Sequence, residues 1–154
     1  MPLEYRGPFL LLFAVDSQLG SLLQTTMRDC PLTPEEFAVT SVLRLSGPTR
    51  AGALAALTGL RPTSMSNYLR RFEERGLVRR RTDSSDRRAS LVSLTAKGTR
   101  QTLACFPGFQ AAIGAFQKAL ADEGIHEADL LLALEGASRA LAVAQAAAEP
   151  GSSS

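Results

Sequence analysis

The stretch from Asp86 to Gly98, DRRASLVSLTAKG, constrains the fold of this 154-residue chain more than any other segment. Asp86-Arg87-Arg88 reads as a basic turn and Ala89 to Leu94 as an alternating strand. Thr95-Ala96-Lys97-Gly98 reads as a capped helix start. Upstream, Leu77 to Thr82 predicts a second short strand, which makes Asp83 to Arg88 the tip of a hairpin. A helix from Pro62 to Arg75, closed by Gly76, precedes it. A short serine- and arginine-bearing helix followed by a cationic hairpin is an arrangement suited to holding duplex DNA.

Charge is distributed in the same sense. Residues 61–100 carry eleven basic and four acidic groups, a net of +7, although the whole chain is only +2. Positive charge gathered into one quarter of the chain, mostly as arginine, is the footprint of a module that contacts phosphates. The length suits about one domain with a real core. The longest apolar run, Phe9 to Val15, is too short to cross a bilayer, and the start lacks the features of a signal peptide. A cytoplasmic protein with no membrane partner is expected.

Other punctuation fixes further helices. Phe9 to about Arg28 predicts a helix whose first half is apolar on nearly every face, as in a helix covered by another subunit or another helix. Leu32-Thr33-Pro34-Glu35-Glu36-Phe37 is a helix start: Thr33 caps, Pro34 takes the first position and Glu36 completes a capping box. Leu32 and Phe37 are spaced for the hydrophobic staple. Gly47-Pro48 stops that helix. Thr49 to Thr58 is expected as a third helix, capped by Thr49 and ended by Gly59. With Pro62 to Arg75 it forms a helix-turn-helix pattern. Thr95 caps a long segment reaching about Ala121, with an interruption or kink expected at Pro107-Gly108. A last helix spans about Glu127 to Ala148, and residues 149–154 form an expected disordered tail.

The Pro62–Arg75 segment divides into two faces. Met65, Tyr68, Leu69 and Phe72 repeat at helical spacing and belong to a core. Thr63, Asn67, Arg70 and Arg71 lie on the opposite arc, flanked by Ser64 and Ser66. That outer arc is short, polar and cationic, which permits close approach to base edges and phosphates.

Taken together, the Leu32–Phe37 helix start, the Arg61-to-Gly76 helix, Gly76-Leu77-Val78-Arg79-Arg80, and Asp86-Arg87-Arg88 leading into Leu94-Thr95-Ala96-Lys97-Gly98 resemble the multiple-antibiotic-resistance regulator (MarR) family. The resemblance implies a mainly α fold with a small β-hairpin wing. Residues 32–98 would form the winged helix-turn-helix DNA-binding lobe, and residues 1–31 and 99–148 a helical dimerisation region, within a single domain. It further implies a homodimeric repressor on a palindromic operator in double-stranded DNA. On this reading Thr63, Ser64, Ser66, Asn67, Arg70 and Arg71 enter the major groove. Arg87 and Arg88 reach the minor groove, and Arg50 touches phosphate with the free N–H groups of the third helix. The resemblance also implies a small anionic or phenolic effector, for which Phe13, Ser17, Phe37, Phe106 and Phe109 are candidates and equally good core residues.

Cys30 and Cys105 have no metal-ligand spacing, and with His126 as the one histidine neither a metal nor a cofactor is expected. Two buried thiols are the plain reading, and a thiol-based redox repressor is the alternative trigger. A winged helix that binds protein is a further alternative, which the +7 segment opposes. An enzyme would need a nucleophile with a base or a metal set, and these residues supply neither.

Overall fold

A computed structural model describes residues 7–82 and 90–148. The expected hairpin tip, Arg87 and Arg88 included, and the expected tail 149–154 lie outside the described residues. The chain divides into two compact units, the first ending at Ala112 and the second beginning at Ile113.

In the first unit, α1 (Pro8–Thr26) and α2 (Pro34–Ser46) precede a two-residue strand, β1 (Thr49–Arg50). Then follow α3 (Ala51–Thr58), α4 (Pro62–Glu74), β2 (Val78–Thr82), β3 (Ser90–Leu94) and the start of α5 (Ala96–Asp122). The start of α2 behaves as its residues dictate: Thr33 Oγ1 accepts from the Glu36 N–H at 3.2 Å, and Glu36 Oε2 accepts from the Thr33 N–H at 3.2 Å. Two otherwise orphaned donors are thereby satisfied reciprocally. Gly47, Gly59 and Gly76 all take φ near +70°, where a side chain would be strained, and so end α2, α3 and α4.

The third helix corrects the expectation at Thr49. Its N-cap is Arg50, and Thr49 lies in β1, where its hydroxyl donates to the Gly47 carbonyl at 2.8 Å. After Gly47-Pro48 the backbone is extended, and pairing Thr49 with Val92 and Arg50 with Leu91 gives it a ladder to join. The hairpin is therefore a three-stranded antiparallel sheet in the order β1-β3-β2.

Pro107 does not interrupt α5, which runs unbroken from Ala96 to Asp122. Gly108 explains why a helix-weakening pair sits there. A Cβ at that position would stand 2.5 Å from the Thr26 carbonyl oxygen, so the missing side chain lets α1 end directly against α5. Gly98 has the same function at the other end of the lobe, where a Cβ would collide with the Leu77 carbonyl. Thr95 caps α5 by accepting from the Gly98 N–H at 3.0 Å, and its own hydroxyl donates to the Gly76 carbonyl at 2.7 Å.

The core of this unit is shared among its helices and the strands β2 and β3. Met27, Leu32, Phe37, Leu43, Leu54, Met65, Leu69, Phe72, Leu77, Val92 and Cys105 form one buried cluster. Met65, Leu69 and Phe72 are the predicted inner face of α4, with Tyr68 half-buried at its edge.

The second unit holds the last turns of α5 and α6 (Glu127–Ala148). No residue of α6 is buried. Its Leu131, Leu132, Leu134, Leu141 and Val143 are exposed, as are Phe9, Leu10, Leu11, Phe13, Val15 and Leu19 of α1 in the first unit. By length and composition alone α6 could cross a bilayer, which the sequence reading did not anticipate. The ion pair between Glu135 and Arg139, at 3.7 Å, lies mid-helix.

Candidate nucleic-acid interface

α4 carries the polar arc on its solvent side. Thr63, Ser66, Asn67, Arg70 and Arg71 are exposed and Ser64 is half-buried, while Met65, Leu69 and Phe72 anchor the opposite face. Deep burial of one face therefore fixes the rotation of the helix and the direction of the other.

Two helix starts in this lobe are left open. α2 and α5 begin under threonine caps, but the N-cap side chains of α3 and α4 make no capping hydrogen bond. In both, the N-cap residue is an arginine, Arg50 for α3 and Arg61 for α4. An uncapped helix N-terminus carries roughly half a positive elementary charge and unsatisfied donors. An arginine beside it adds a cation, and both features favour an anion. Arg61 was not singled out from sequence. Its position immediately before a helix-opening proline is the signal that could have found it.

The arginines divide by partner. Glu36, only 2% exposed, receives Arg75 Nη1 at 2.7 Å and Arg71 Nη2 at 3.0 Å on the same carboxylate oxygen. Arg75 Nη2 also donates to the Pro31 carbonyl at 3.1 Å. One buried carboxylate thus caps α2 and holds the last turn of α4. Arg71 additionally lies 5.9 Å from the Tyr68 ring centroid. Arg70, by contrast, faces only Glu74 at 3.7 Å with both side chains well exposed. Such a pair is worth little in water, so Arg70 is the more available of the two adjacent arginines. Arg80 is tied to Glu73 at 2.8 Å.

The five effector candidates separate. Phe37 is buried and packs on Phe106 and Phe109, with ring centroids 5.4 and 5.0 Å away. The Arg44 guanidinium lies over Phe106 at 5.2 Å. Phe13, on exposed α1, pairs edge-on with Phe9, and Ser17 is exposed nearby in sequence. A recess of about 450 Å3 at the α1–α2 junction is lined by Cys30 and Glu36 among others and includes none of the five.

Cys30 and Cys105, distant in sequence, are neighbours, and Cys105 Sγ donates to the Gln101 carbonyl at 3.3 Å. Burial pushes the Cys105 thiol up to about 11 from an ordinary 9.0, and the Cys30 thiol and Glu36 add to the rise. Cys105 is therefore a neutral thiol at physiological pH, and Cys30 is only half-buried.

With this geometry in place, residues 32–90 match the model of the MarR family, over the elements from the start of α2 to β3. An uncharacterized HTH-type transcriptional regulator of Bacillus subtilis (strain 168), YdgG, is 32% identical over 69 residues. That match covers 44% of this chain and 45% of the relative, so the chain aligns with about half of that protein. Solved structures extend the likeness. A probable transcriptional regulator from Pseudomonas aeruginosa is 26% identical, with a TM-score of 0.70 over 88% of this chain and 98% of that one. The fold also matches a mutant of MarR from E. coli complexed with operator DNA, at 20% identity and a TM-score of 0.69. That superposition covers 92% of this chain and 99% of the E. coli chain. The winged-helix MarR fold therefore extends well beyond the residues that the family model matches.

Proposed function

We propose that this protein is a sequence-specific DNA-binding transcriptional regulator, acting in the cytoplasm as a homodimer with repression as its default action. The observation that carries this reading is the pair of uncapped, arginine-led starts of α3 and α4 beside the polar arc of α4. Their physical consequence is a lobe that seats two phosphates while α4 points into the groove between them.

On this reading Ser64, Ser66 and Asn67, in the first turns of α4, meet base edges with Thr63 beside them. Arg70 follows one turn later, where a bidentate contact to guanine contributes about 1–3 kcal/mol of discrimination. Arg71, shared with Glu36, supports the backbone side of the interface. Arg50 and Arg61 hold phosphates, and Arg87 and Arg88 carry the minor-groove contact of the wing.

Homodimerisation is supported by the exposed leucine, valine and phenylalanine side chains of α1 and α6, whose burial against a second copy would remove apolar surface from water. Two copies related by a two-fold axis place their α4 helices about 34–36 Å apart and call for a palindromic operator. A small anionic or phenolic effector is the favoured trigger, with Arg44 above Phe106 offering it a cation and a ring. In the redox alternative the reacting thiol is Cys30, because Cys105 is held neutral. Serine at both positions leaves effector-driven release intact under the first reading and abolishes peroxide-driven release under the second.

The test of the binding reading is affinity for duplex DNA across a salt series. Counterion release predicts a steep linear fall of log affinity with log salt. A flat response would mean that the basic lobe has another use.

A further inference from the structure

We propose that Met27, Cys30 and Cys105 form a three-sulfur site for Cu(I) where the end of α1, the α1–α2 link and α5 meet. No spacing in the sequence joins these residues, because Cys105 reaches the other two only through packing. Met27 and Cys30 stand one turn apart, with the Cys30 N–H donating to the Met27 carbonyl at 3.0 Å. Gly108, three residues beyond Cys105, lies on the same side of α5. Met27 Cα stands 3.3 Å from the place that a Cβ on Gly108 would take, so the end of α1 rests on that part of α5.

Burial and access are both provided. Met27 and Cys105 belong to one buried cluster, and Cys30 packs against it. Cys105 is fully buried and is a neighbour of Cys30, which is half-buried. Met27 and Cys30 both line the recess of about 450 Å3 at the α1–α2 junction. An ion therefore reaches the first two sulfurs from solvent, and the third lies immediately behind them in the core.

The donor set selects the ion. Thiolates and a thioether are soft ligands, and Cu(I) is the soft cation they suit. Zn(II) asks for four ligands in a structural site. Among the described residues no group of three or more histidine, cysteine, aspartate or glutamate side chains is placed to hold a metal. Cu(I) is satisfied by two thiolates with the thioether as a third, weaker ligand. As it binds, both thiol protons leave to solvent. Copper stays in the +1 state and no disulfide forms, which separates this site from the redox alternative. The filled centre carries one negative charge. Glu36 is also felt at Cys105, but both Arg71 and Arg75 bond to it, so that node is net positive and offsets the centre. The site does not rest on the DNA reading and survives its failure.

The experiment is anaerobic competition for Cu(I) between the full chain and the coloured chelator bicinchoninate, in wild type, M27L and C30S. Leucine conserves the volume of Met27, and Cys30 is only half-buried, so both variants keep the core filled. Thermal melting of the metal-free proteins checks folding. The wild type is expected to take one Cu(I) per chain and to show a sulfur-to-copper charge-transfer band in the ultraviolet. M27L and C30S are each expected to lose tenfold or more in affinity at an unchanged melting temperature. Failure of the wild type to take copper from the chelator would overturn the proposal, as would wild-type affinity in either variant. Displacement of Cu(I) by an equal concentration of Zn(II) would also overturn it, because the site would then not be selective for a soft cation.

Discussion

Asn67 and Arg70 stand one turn apart on the exposed side of α4, and neither contributes to the buried cluster beneath them. Alanine at either position should therefore cost affinity and little stability. The expected loss on a selected operator is about 1–3 kcal/mol, read by fluorescence anisotropy, at an unchanged melting temperature. A drop in melting temperature as large as the loss in affinity would contradict this placement. Cys105 gives a second residue-level prediction. Its folded pKa lies above the unfolded value, so its contribution to stability is complete below about pH 9 and is lost as pH rises towards about 11. Denaturant midpoints across that interval should fall for the wild type and fall less for Cys105→Ala. The polar arc of α4 was legible in the sequence because side-chain type and helical spacing suffice to define it. The Glu36–Arg71–Arg75 node was not, since its partners lie 35 and 39 residues apart and meet only after α2 and α4 pack.

At the level of elements, neighbouring residues in α5 should respond in opposite directions. Pro107→Ala supplies the N–H that proline lacks inside the helix, and removes a residue that costs up to about 3 kcal/mol in a helix interior. Gly108→Ala forces a Cβ towards the Thr26 carbonyl and should destabilise the lobe. Thermal melts of the two variants should move up and down respectively. If both moved down, α5 would depend on the proline itself. The same pair shows where sequence reasoning stops. Proline followed by glycine reads locally as a break, and only the close approach of α1 shows why a glycine sits inside a continuous helix. β1 escaped for a related reason: two residues carry no periodicity, and Thr49-Arg50 becomes a strand only because β3 lies beside it. Caps were read accurately wherever they are local, as at Thr33 and Thr95. They failed at Thr49, where tertiary pairing prevails over local propensity. Glu36→Gln keeps an acceptor for the Thr33 N–H yet releases both arginines. It should lower stability and steepen the salt dependence of DNA binding as Arg71 becomes available to phosphate.

For the molecule as a whole, the exposed apolar residues of α1 and α6 call for a cover. Replacing Leu132 and Leu141, both on α6 and both exposed, with glutamate should shift sedimentation from dimer to monomer and leave the lobe around Leu69 folded. An unchanged sedimentation coefficient would remove α6 from the interface. The proposed dimer rests on the resemblance that implies it, because one chain's sequence shows apolar helices without naming what buries them. The central claim, a dimeric lobe that reads DNA by sequence, is met most directly by selecting bound duplexes from a random pool at physiological salt. Enrichment of an imperfect palindrome whose half-sites are centred one helical turn apart is expected. Recovery of a folded dimer with no enriched sequence would contradict it.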